Sequence, residues 1–415
     1  MARLAILLVC IFCITNTLRA ADDKSRDIDA GFGEWKTLFD GKSTKGWQNA
    51  KPKRQAGGKN LWAAEDGALA NIRGGVNDIC TVEEFTDYEL EIDYKIPPKG
   101  NSGVYLRGTC EVQIFDSFGK ADKDLSKADS GAIYGVGYVA LKNAQKKPGE
   151  WNTYRIIHVG HRITVWHNGV LIQDNVYQDK FTGGAMGVYP GTNRKLTPKK
   201  GPLMLQGDHG KVWYRNIRIR PLCAGEGWTA LWNGKDLSEF TAKNDRRAKK
   251  GLRWAVADNA FTNTAAGGGG HDIWTKGSYG NFLAFYQYRS DPKIHGGNSG
   301  FYLRDQWEIQ IHGPRGDGRK EGKHGDGALY SYYPPAKLSN NGKNRWNTMC
   351  VKLVDNKISV WQNGILIHDN TSVPTRTDNH RVKPPVFSKA PFKLQGDHGK
   401  VWFANMKILP LPDSK

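Results

Sequence analysis

The sequence contains one long stretch twice, and this internal duplication is its strongest constraint on the fold. NSGVYLRGTCEVQIFD at 101–116 returns as NSGFYLRDQWEIQIHG at 298–313. LQGDHGKVW closes both copies, at 205–213 and at 394–402. Because the matching blocks keep their order and nearly their spacing, each copy is a whole domain rather than a short structural repeat.

Both copies have the pattern of an all-β protein. Short runs rich in Val, Ile, Tyr, Trp and Phe alternate with Gly, Asn, Asp and Pro, and helical periodicity is nearly absent. Asn168-Gly169 and Asn363-Gly364 each separate two such runs, which is typical of a hairpin with a type I′ turn. We therefore predict an all-β chain of two tandem jelly-roll β-sandwich domains, at 30–223 and 224–413.

The N-terminus has the pattern of a secretory signal. Arg3 precedes the apolar stretch LAILLVCIFCI, and Leu18-Arg19-Ala20 is an acceptable cleavage site. We expect residues 1–20 to be removed and the mature protein to be secreted or periplasmic. No later segment is apolar enough to predict a transmembrane segment.

The cysteines are too few for a disulfide scaffold. Two of the six cysteines fall in the predicted signal, which leaves Cys80, Cys110, Cys223 and Cys350. These four can form at most two disulfides, and their spacing is not that of metal ligands. We expect the domains to be held together by apolar packing.

The formal net charge of +19 raises the question of a charged partner. We do not expect nucleic acid binding, because the basic residues are scattered and no nucleic-acid motif accompanies them. Association with acidic glycans or with the cell envelope fits the charge and the predicted export better. A surface that is basic only for solubility accounts for the charge equally well.

Alternation within the duplicated strands predicts a polar face in each domain. Successive side chains of a strand point to opposite sides, so Val104 and Val112 belong to the core side. A solvated outer face is the simple alternative. Recurrence of the same residue types at the same register favours a ligand-binding face, since Tyr and Arg suit polar ligands. The predicted face carries Tyr105, Arg107, Glu111 and Gln113 in the first copy, and Tyr302, Arg304, Glu308 and Gln310 in the second.

The block Gly-Asp-His-Gly-Lys is the second candidate element. Asp208 beside His209, and Asp397 beside His398, suit proton transfer by an oriented imidazole or coordination of a divalent ion. The alternative is turn chemistry, in which the carboxylate caps backbone N–H groups. Lys211 and Lys400 follow these loops and are candidate binding residues, as are Gln206 and Gln395 before them.

Six ordered blocks resemble the 3-keto-disaccharide hydrolase domain family: NSGVYLRG, EVQIFD, GAIYG, GEWNTY, the Asn-Gly hairpin and LQGDHGKVWYRNIRI. The resemblance implies a concanavalin A-like jelly roll and cleavage of glycosides oxidised at C3. The second copy departs from the pattern where Gly313 replaces Asp116, where Ser331 replaces a glycine, and where His312, itself a candidate binding residue, aligns with Phe115. Positions that match the family motifs are Glu111, Gln113, Asp116, Gln206, Asp208 and His209, and then Glu308, Gln310, Gln395, Asp397 and His398.

The chemistry of such a substrate suggests roles for these residues. A ketone at C3 acidifies the C2 proton, so a base removes it and the enolate expels the C1 oxygen; water addition then completes a net hydrolysis. We expect Glu111 or His209 to be the base, and Arg107, Gln113 or a divalent ion to stabilise the enolate. The second copy offers Glu308, His398, Arg304 and Gln310 for the same roles.

A non-catalytic function is the main alternative. The polar faces of two lectin-like domains would then grip a polysaccharide, and duplication would supply avidity.

Overall fold

The computed structural model describes most of the chain outside its N-terminus. Two compact units are formed, Trp35–Ala224 and the unit that begins at Gly225. The predicted junction after residue 223 lies within one residue of this division. The predicted signal at 1–20 lies outside the described residues. The described ranges are 33–50, 61–134, 137–178, 198–242, 246–267, 270–313, 322–373 and 389–413.

The first domain is a sandwich of two antiparallel sheets. Its large sheet has the order β12-β11-β10-β6-β14-β4-β3, with β1 also paired to β14, and its small sheet has the order β2-β5-β13-β7-β8-β9. The strands are β1 Lys36–Thr37, β2 Trp47–Asn49, β3 Trp62–Glu65, β4 Ala68–Asn71, β5 Ile79–Phe85, β6 Tyr88–Lys95, β7 Asn101–Leu106, β8 Cys110–Phe115, β9 Ile133–Tyr134, β10 Asn152–Val159, β11 Arg162–His167, β12 Val170–Tyr177, β13 Gly201–Leu205 and β14 Trp213–Pro221.

The second domain repeats this plan. Its large sheet has the order β17-β18-β27-β20-β23-β24-β25, with β15 on β27, and its small sheet has the order β16-β19-β26-β21-β22. The strands are β15 Thr229–Ala230, β16 Phe240–Thr241, β17 Trp254–Ala257, β18 Ala260–Asn263, β19 Ile273–Thr275, β20 Phe282–Asp291, β21 Ser299–Leu303, β22 Trp307–Ile311, β23 Asn347–Val354, β24 Lys357–Gln362, β25 Ile365–Ser372, β26 Lys393–Leu394 and β27 Lys400–Pro410.

One apolar core fills the space between the two sheets of each domain. In the first domain Val104 and Val112 of the small sheet pack with Leu90 and Ile156 of the large sheet, and all four are fully buried. Burying each such side chain stabilises the fold by roughly 1.5–3 kcal/mol. The face of each strand that carries these alternate apolar residues is therefore the face that packs against the core. The predicted all-β class with two tandem jelly-roll domains is confirmed.

The two Asn-Gly hairpins have the predicted turn. Asn168 and Gly169 have φ values of 50° and 83°, and Asn363 and Gly364 have values of 51° and 79°. A type I′ turn requires positive φ at both central residues, and Asn and Gly adopt it at low cost. These turns connect β11 to β12 and β24 to β25.

Apolar packing rather than covalent cross-linking holds the domains. Cys80, Cys110, Cys223 and Cys350 are all buried, and none of them forms a disulfide. Burial raises the pKa of the Cys80 thiol to about 12, so this sulfur stays protonated at neutral pH. Among the described residues, no helix is long and apolar enough to cross a membrane.

Candidate active site

A row of side chains crosses the small sheet of the first domain on the side away from the core. Hydrogen-bond register aligns six residues of six strands: Gln48, Cys80, Met204, Tyr105, Glu111 and Tyr134. Gln113 follows Glu111 on the same side, two residues along β8. We call this side of the small sheet the polar face, and its predicted members Tyr105, Glu111 and Gln113 do lie together on it.

Glu111 and Tyr105 form a buried carboxyl–phenol pair on the polar face. Glu111 is only 2% exposed, and its carboxyl is hydrogen-bonded to the Tyr105 hydroxyl. Burial raises the pKa of Glu111 to about 8; the bond from Tyr105 opposes the rise, and the charges of Asp78 and Asp208 add to it. Burial beside these carboxylates also keeps the pKa of Tyr105 well above its usual value. Glu111 therefore exchanges its proton near neutral pH while Tyr105 remains a donor.

A glycine opposite the carboxyl makes room for it. A Cβ atom on Gly103 would lie 2.1 Å from Glu111 Oε1, and one on Gly300 would lie 2.2 Å from Glu308 Oε1. Neither glycine has positive φ, so space rather than backbone conformation requires it. The Asn-Ser-Gly motif therefore shapes the site through the residue that has no side chain.

Gln206 offers a hydrogen-bond acceptor on the polar face. Its Nε2 donates to the Tyr105 hydroxyl at 2.7 Å, and the residue is 6% exposed. Its Oε1 is buried without a hydrogen-bond partner, and so is Oε1 of the equivalent Gln395. Unsatisfied buried acceptors are costly, so the same acceptor at equivalent positions of both domains suits a partner that donates a hydrogen bond there.

The Asp-His loop borders this face. His209 Nδ1 lies 2.6 Å from Asp208 Oδ1, with the imidazole side chain 41% exposed. Asp208 is close enough for its charge to raise the pKa values of Glu111 and Tyr105. The imidazole of His209 is thus accessible and oriented by Asp208. The carboxylate of Asp208 also acts, through its charge, on the buried pair of Glu111 and Tyr105.

Two residues that sequence reasoning missed hold the loop in place. Asn71 accepts from Val212 N at 2.8 Å and donates to Gly210 O at 2.7 Å. Asp78 accepts from Gly207 N at 3.0 Å. Asn263 and Asp272 make the same bonds in the second domain. Each copy contains an Asp-Ile pair and a strand-ending Asn at these places, and this repetition was the available signal.

The second domain has the same pair with different neighbours. Tyr302 donates a hydrogen bond to Glu308 Oε2 at 2.8 Å, and both residues are 3% exposed. In the amide orientation that satisfies its surroundings, Gln310 donates to Glu308 Oε1 at 2.9 Å. The predicted members Tyr302, Glu308 and Gln310 therefore share one face. His398 Nδ1 lies 2.5 Å from Asp397 Oδ1 in the equivalent loop.

The row in the second domain also contains Lys393, which sequence reasoning missed. Register aligns Trp274 with Lys393, Lys393 with Tyr302, and Tyr302 with Glu308. The ammonium nitrogen of Lys393 lies 3.4 Å from the centroid of the Tyr302 ring and 3.6 Å from Asp272 Oδ2. Burial raises the pKa of Asp272, and the charge of Lys393 opposes that rise.

The assignment of Arg107 and Arg304 to the polar face was wrong. Strand β7 ends at Leu106, and Arg107 has a φ of 50°, so strand alternation no longer applies to it. Its guanidinium is 1% exposed and binds Asp87 and the carbonyl oxygens of Thr86 and Gly160. Arg304 is equally buried, with φ 50°, and binds Gly280 O and Asn281 Oδ1. The guanidinium groups of both arginines are therefore bound inside their domains and are not part of the polar face.

The other predicted binding residues have partners close to them in the structure. Lys211 Nζ contacts Glu65 at 2.7 Å and the ring of Trp213 at 5.0 Å, and Lys400 makes the equivalent contact with Trp402 at 5.3 Å.

At the ends of strands β8 and β22, Asp116 accepts from Lys99 N at 2.8 Å and His312 Nδ1 lies 2.8 Å from Gly313 O. Each side chain thus has a local hydrogen-bond partner, and its role in binding stays a prediction.

The described residues contain no group of three or more His, Cys, Asp or Glu side chains arranged to hold a metal ion.

A cavity of about 490 Å³ lies elsewhere, beside the large sheet of the first domain. Its carboxylates are engaged by neighbours, as Asp93 is by Thr153 and Asn216. The polar face remains the better candidate site because the buried carboxyl–phenol pair recurs on it in both domains.

Comparison with known proteins agrees with the duplicated architecture. The sequence model of the "3-keto-alpha-glucoside-1,2-lyase-like domain" matches residues 34–220 and 227–409. A 3-keto-disaccharide hydrolase of Bacteroides thetaiotaomicron is 24% identical over 257 residues, which cover 50% of this chain and 85% of that protein. A proposed glycosyl hydrolase of Parabacteroides distasonis with a solved structure is 30% identical, with a TM-score of 0.36, over 45% of this chain and 84% of that one.

Proposed function

Both domains of this chain belong to the 3-keto-alpha-glucoside-1,2-lyase-like domain family, and from that premise we propose that the protein cleaves glycosides whose C3 hydroxyl is oxidised to a ketone. We further propose that it acts outside the cytoplasm, since its first twenty residues have the pattern of an export signal. The Bacteroides relative named 3-keto-disaccharide hydrolase supports this class of substrate.

The observation that carries the proposal is the carboxyl–phenol pair, which recurs at one register in both domains. Glu111 with Tyr105, and Glu308 with Tyr302, place a proton acceptor beside a fixed hydrogen-bond donor in a buried setting. A carboxyl whose pKa is about 8 can take and return a proton near neutral pH. Abstraction of a C2 proton beside a ketone needs such a group.

The reaction then proceeds in two stages. The carboxylate takes the C2 proton, the C2–H electron pair forms a C2–C3 π bond, and the C3 oxygen becomes an enolate. When the C3 carbonyl re-forms, the electron pair of the C2–C3 double bond forms the C1–C2 double bond and expels the C1 oxygen, which receives a proton. Addition of water across the double bond gives the net hydrolysis products. The accessible imidazole of His209 is the alternative base in the first domain.

The arrangement differs from that of an ordinary glycosidase. Such an enzyme needs two carboxyl groups facing each other across the glycosidic bond, roughly 5–9.5 Å apart. The row in the first domain has one carboxyl, Glu111, while Asp78 accepts a backbone N–H and Asp208 lies against His209. One carboxyl with a phenol fits proton abstraction better than direct displacement at C1.

Tandem carbohydrate binding without catalysis is the second candidate. The observation in its favour is the orphan acceptor of Gln206 and of Gln395, which needs only a sugar hydroxyl and no reaction. Replacing Gln206 and Gln395 by Leu would abolish glycan binding under either function. Only the catalytic function also requires the two carboxyls to turn substrate over.

The test is product analysis by mass spectrometry after incubation of the full chain with a panel of 3-keto-glucosides. The matched panel is the same glucosides with C3 unoxidised. We expect release of the aglycone from the oxidised set alone, and loss of release in the double variant Glu111→Gln, Glu308→Gln. Cleavage of the unoxidised set, or full activity of the double variant, would contradict the proposal.

A further inference from the structure

The two polar faces differ in charge at one buried position. Met204 lies beside Tyr105 in the first domain, and Lys393 lies beside Tyr302 in the second. We propose that Lys393 makes the second domain the copy that performs the elimination, because its ammonium group stabilises the enolate that forms on the C3 oxygen. This inference rests on the proposed function and assigns a catalytic residue within it.

The position of Lys393 suits stabilisation of a developing negative charge. Its side chain is 8% exposed, with the nitrogen 3.4 Å from the Tyr302 ring centroid and 3.6 Å from Asp272 Oδ2. Tyr302 in turn donates to Glu308, the proposed base. The cation is therefore fixed before the substrate arrives, next to the tyrosine that donates to the proposed base. A fixed charge in a dry site acts more strongly than the same charge in water.

The first domain lacks this charge at the equivalent place. Its row runs through Gln48, Cys80, Met204, Tyr105, Glu111 and Tyr134, none of which is a cation. The charges that act on Glu111 there are those of Asp78 and Asp208, which disfavour a second negative charge nearby. The second domain has the equivalent carboxylates Asp272 and Asp397, but there Lys393 lies 3.6 Å from Asp272 Oδ2 and offsets its charge. An enolate on the face of the first domain would form without such a cation, so that domain binds the keto-sugar but eliminates slowly.

In the second domain, the proton and the negative charge that the elimination generates are each taken up by a named group. The C2–H bond breaks and its proton passes to Glu308, while the C3 oxygen takes the negative charge beside Lys393. When the C3 carbonyl re-forms, the electron pair of the C2–C3 double bond forms the C1–C2 double bond, the C1–O bond breaks with its pair on the departing oxygen, and that oxygen takes the proton from Glu308. No oxidant, reductant or further reactant is needed for this step.

The decisive experiment compares Lys393→Met with Lys393→Arg in the full chain, on a 3-keto-glucoside that the wild type cleaves. Removal of one preorganised donor that stabilises a developing oxyanion costs about 100-fold to 1,000-fold in kcat. We expect Lys393→Met to lose about 100-fold in kcat with little change in KM, and Lys393→Arg to recover at least a tenth of the wild-type rate. The matched control is Lys276→Met, at an exposed position of the same domain.

A second readout separates catalysis from folding. Exchange of the substrate C2 proton with deuterium, followed by NMR, reports enolate formation without cleavage, and it should fall in Lys393→Met by the same factor as kcat. The thermal transition of the second domain shows whether each variant is folded. Two results would overturn this inference alone. One is a Lys393→Met variant that turns over substrate as fast as the wild type, and the other is a loss of turnover in Glu111→Gln as large as that in Glu308→Gln. Absence of turnover in the wild type would overturn the proposed function itself.

Discussion

The hydroxyl of Tyr302 lies 2.8 Å from Glu308 Oε2 and donates to it, across two strands that pair these residues directly. The phenol and the carboxyl are both buried, and the two residues are six positions apart in sequence. Its counterpart joins Tyr105 to Glu111 in the first domain. The pair is therefore a product of hairpin register, and it occurs wherever the duplicated hairpin folds.

Removal of this hydroxyl should impair catalysis more than folding. We expect Tyr302→Phe to lower kcat by roughly 10-fold to 100-fold, because the carboxyl of Glu308 loses a donor worth about 1.5–3 kcal/mol when charged. Steady-state kinetics on a 3-keto-glucoside measure the change. Tyr333→Phe, an exposed tyrosine of the same domain, is the control. Equal kinetics in the two variants would show that the bond has no catalytic role.

The raised pKa of Glu111 predicts a dependence of stability on pH. The folded-state value of about 8 lies above the ordinary 4.5, so between these values the unfolded chain is ionised while the folded domain keeps its proton. The stability that this proton provides is present below about pH 4.5 and is lost as pH rises to about 8. Over this pH range the free energy of unfolding of the first domain falls by a total on the order of 3–5 kcal/mol.

Glu111→Gln should therefore stabilise the first domain at pH 8.5 and change its stability little at pH 4.5. Scanning calorimetry at the two pH values measures this, with the exposed Glu84→Gln as control. A stabilisation that is the same at both pH values would show that ionisation of Glu111 is not its cause.

The glycine opposite each carboxyl offers a test by steric displacement. A Cβ atom on Gly300 would lie 2.2 Å from Glu308 Oε1 and force that carboxyl out of its place. We expect Gly300→Ala to cost about 1–3 kcal/mol of stability and most of the activity of the second domain. Gly322→Ala, where a Cβ atom would meet nothing within 4 Å, is the matched control. Retention of full activity by Gly300→Ala would mean that the carboxyl position is not critical.

The buried hydrogen bonds of Arg107 predict that loss of its guanidinium lowers stability rather than kcat. Loss of its guanidinium leaves Asp87 and the Thr86 carbonyl without this buried donor, so Arg107→Met should destabilise the first domain by roughly 3–5 kcal/mol. Arg218→Met removes an exposed ion pair with Glu91 and should cost less than about 1 kcal/mol. Thermal unfolding measures both. A stable Arg107→Met variant with reduced kcat would restore the role in enolate stabilisation.

The sequence by itself determined the duplication, the all-β class, the Asn-Gly turns and the face shared by Tyr105, Glu111 and Gln113. These features depend on local rules, since strand alternation and turn conformation involve neighbours along the chain. Local rules also explain the error at Arg107, where the strand ends one residue earlier and the backbone turns.

Only the tertiary structure decided the charge around each carboxyl. Asp208 reaches Glu111, and Lys393 reaches Tyr302, because strands about one hundred residues apart in sequence pair in one sheet. Burial and the distances between charges set the pKa of Glu111 and the difference between the two domains, and both depend on the packed fold rather than on residue type.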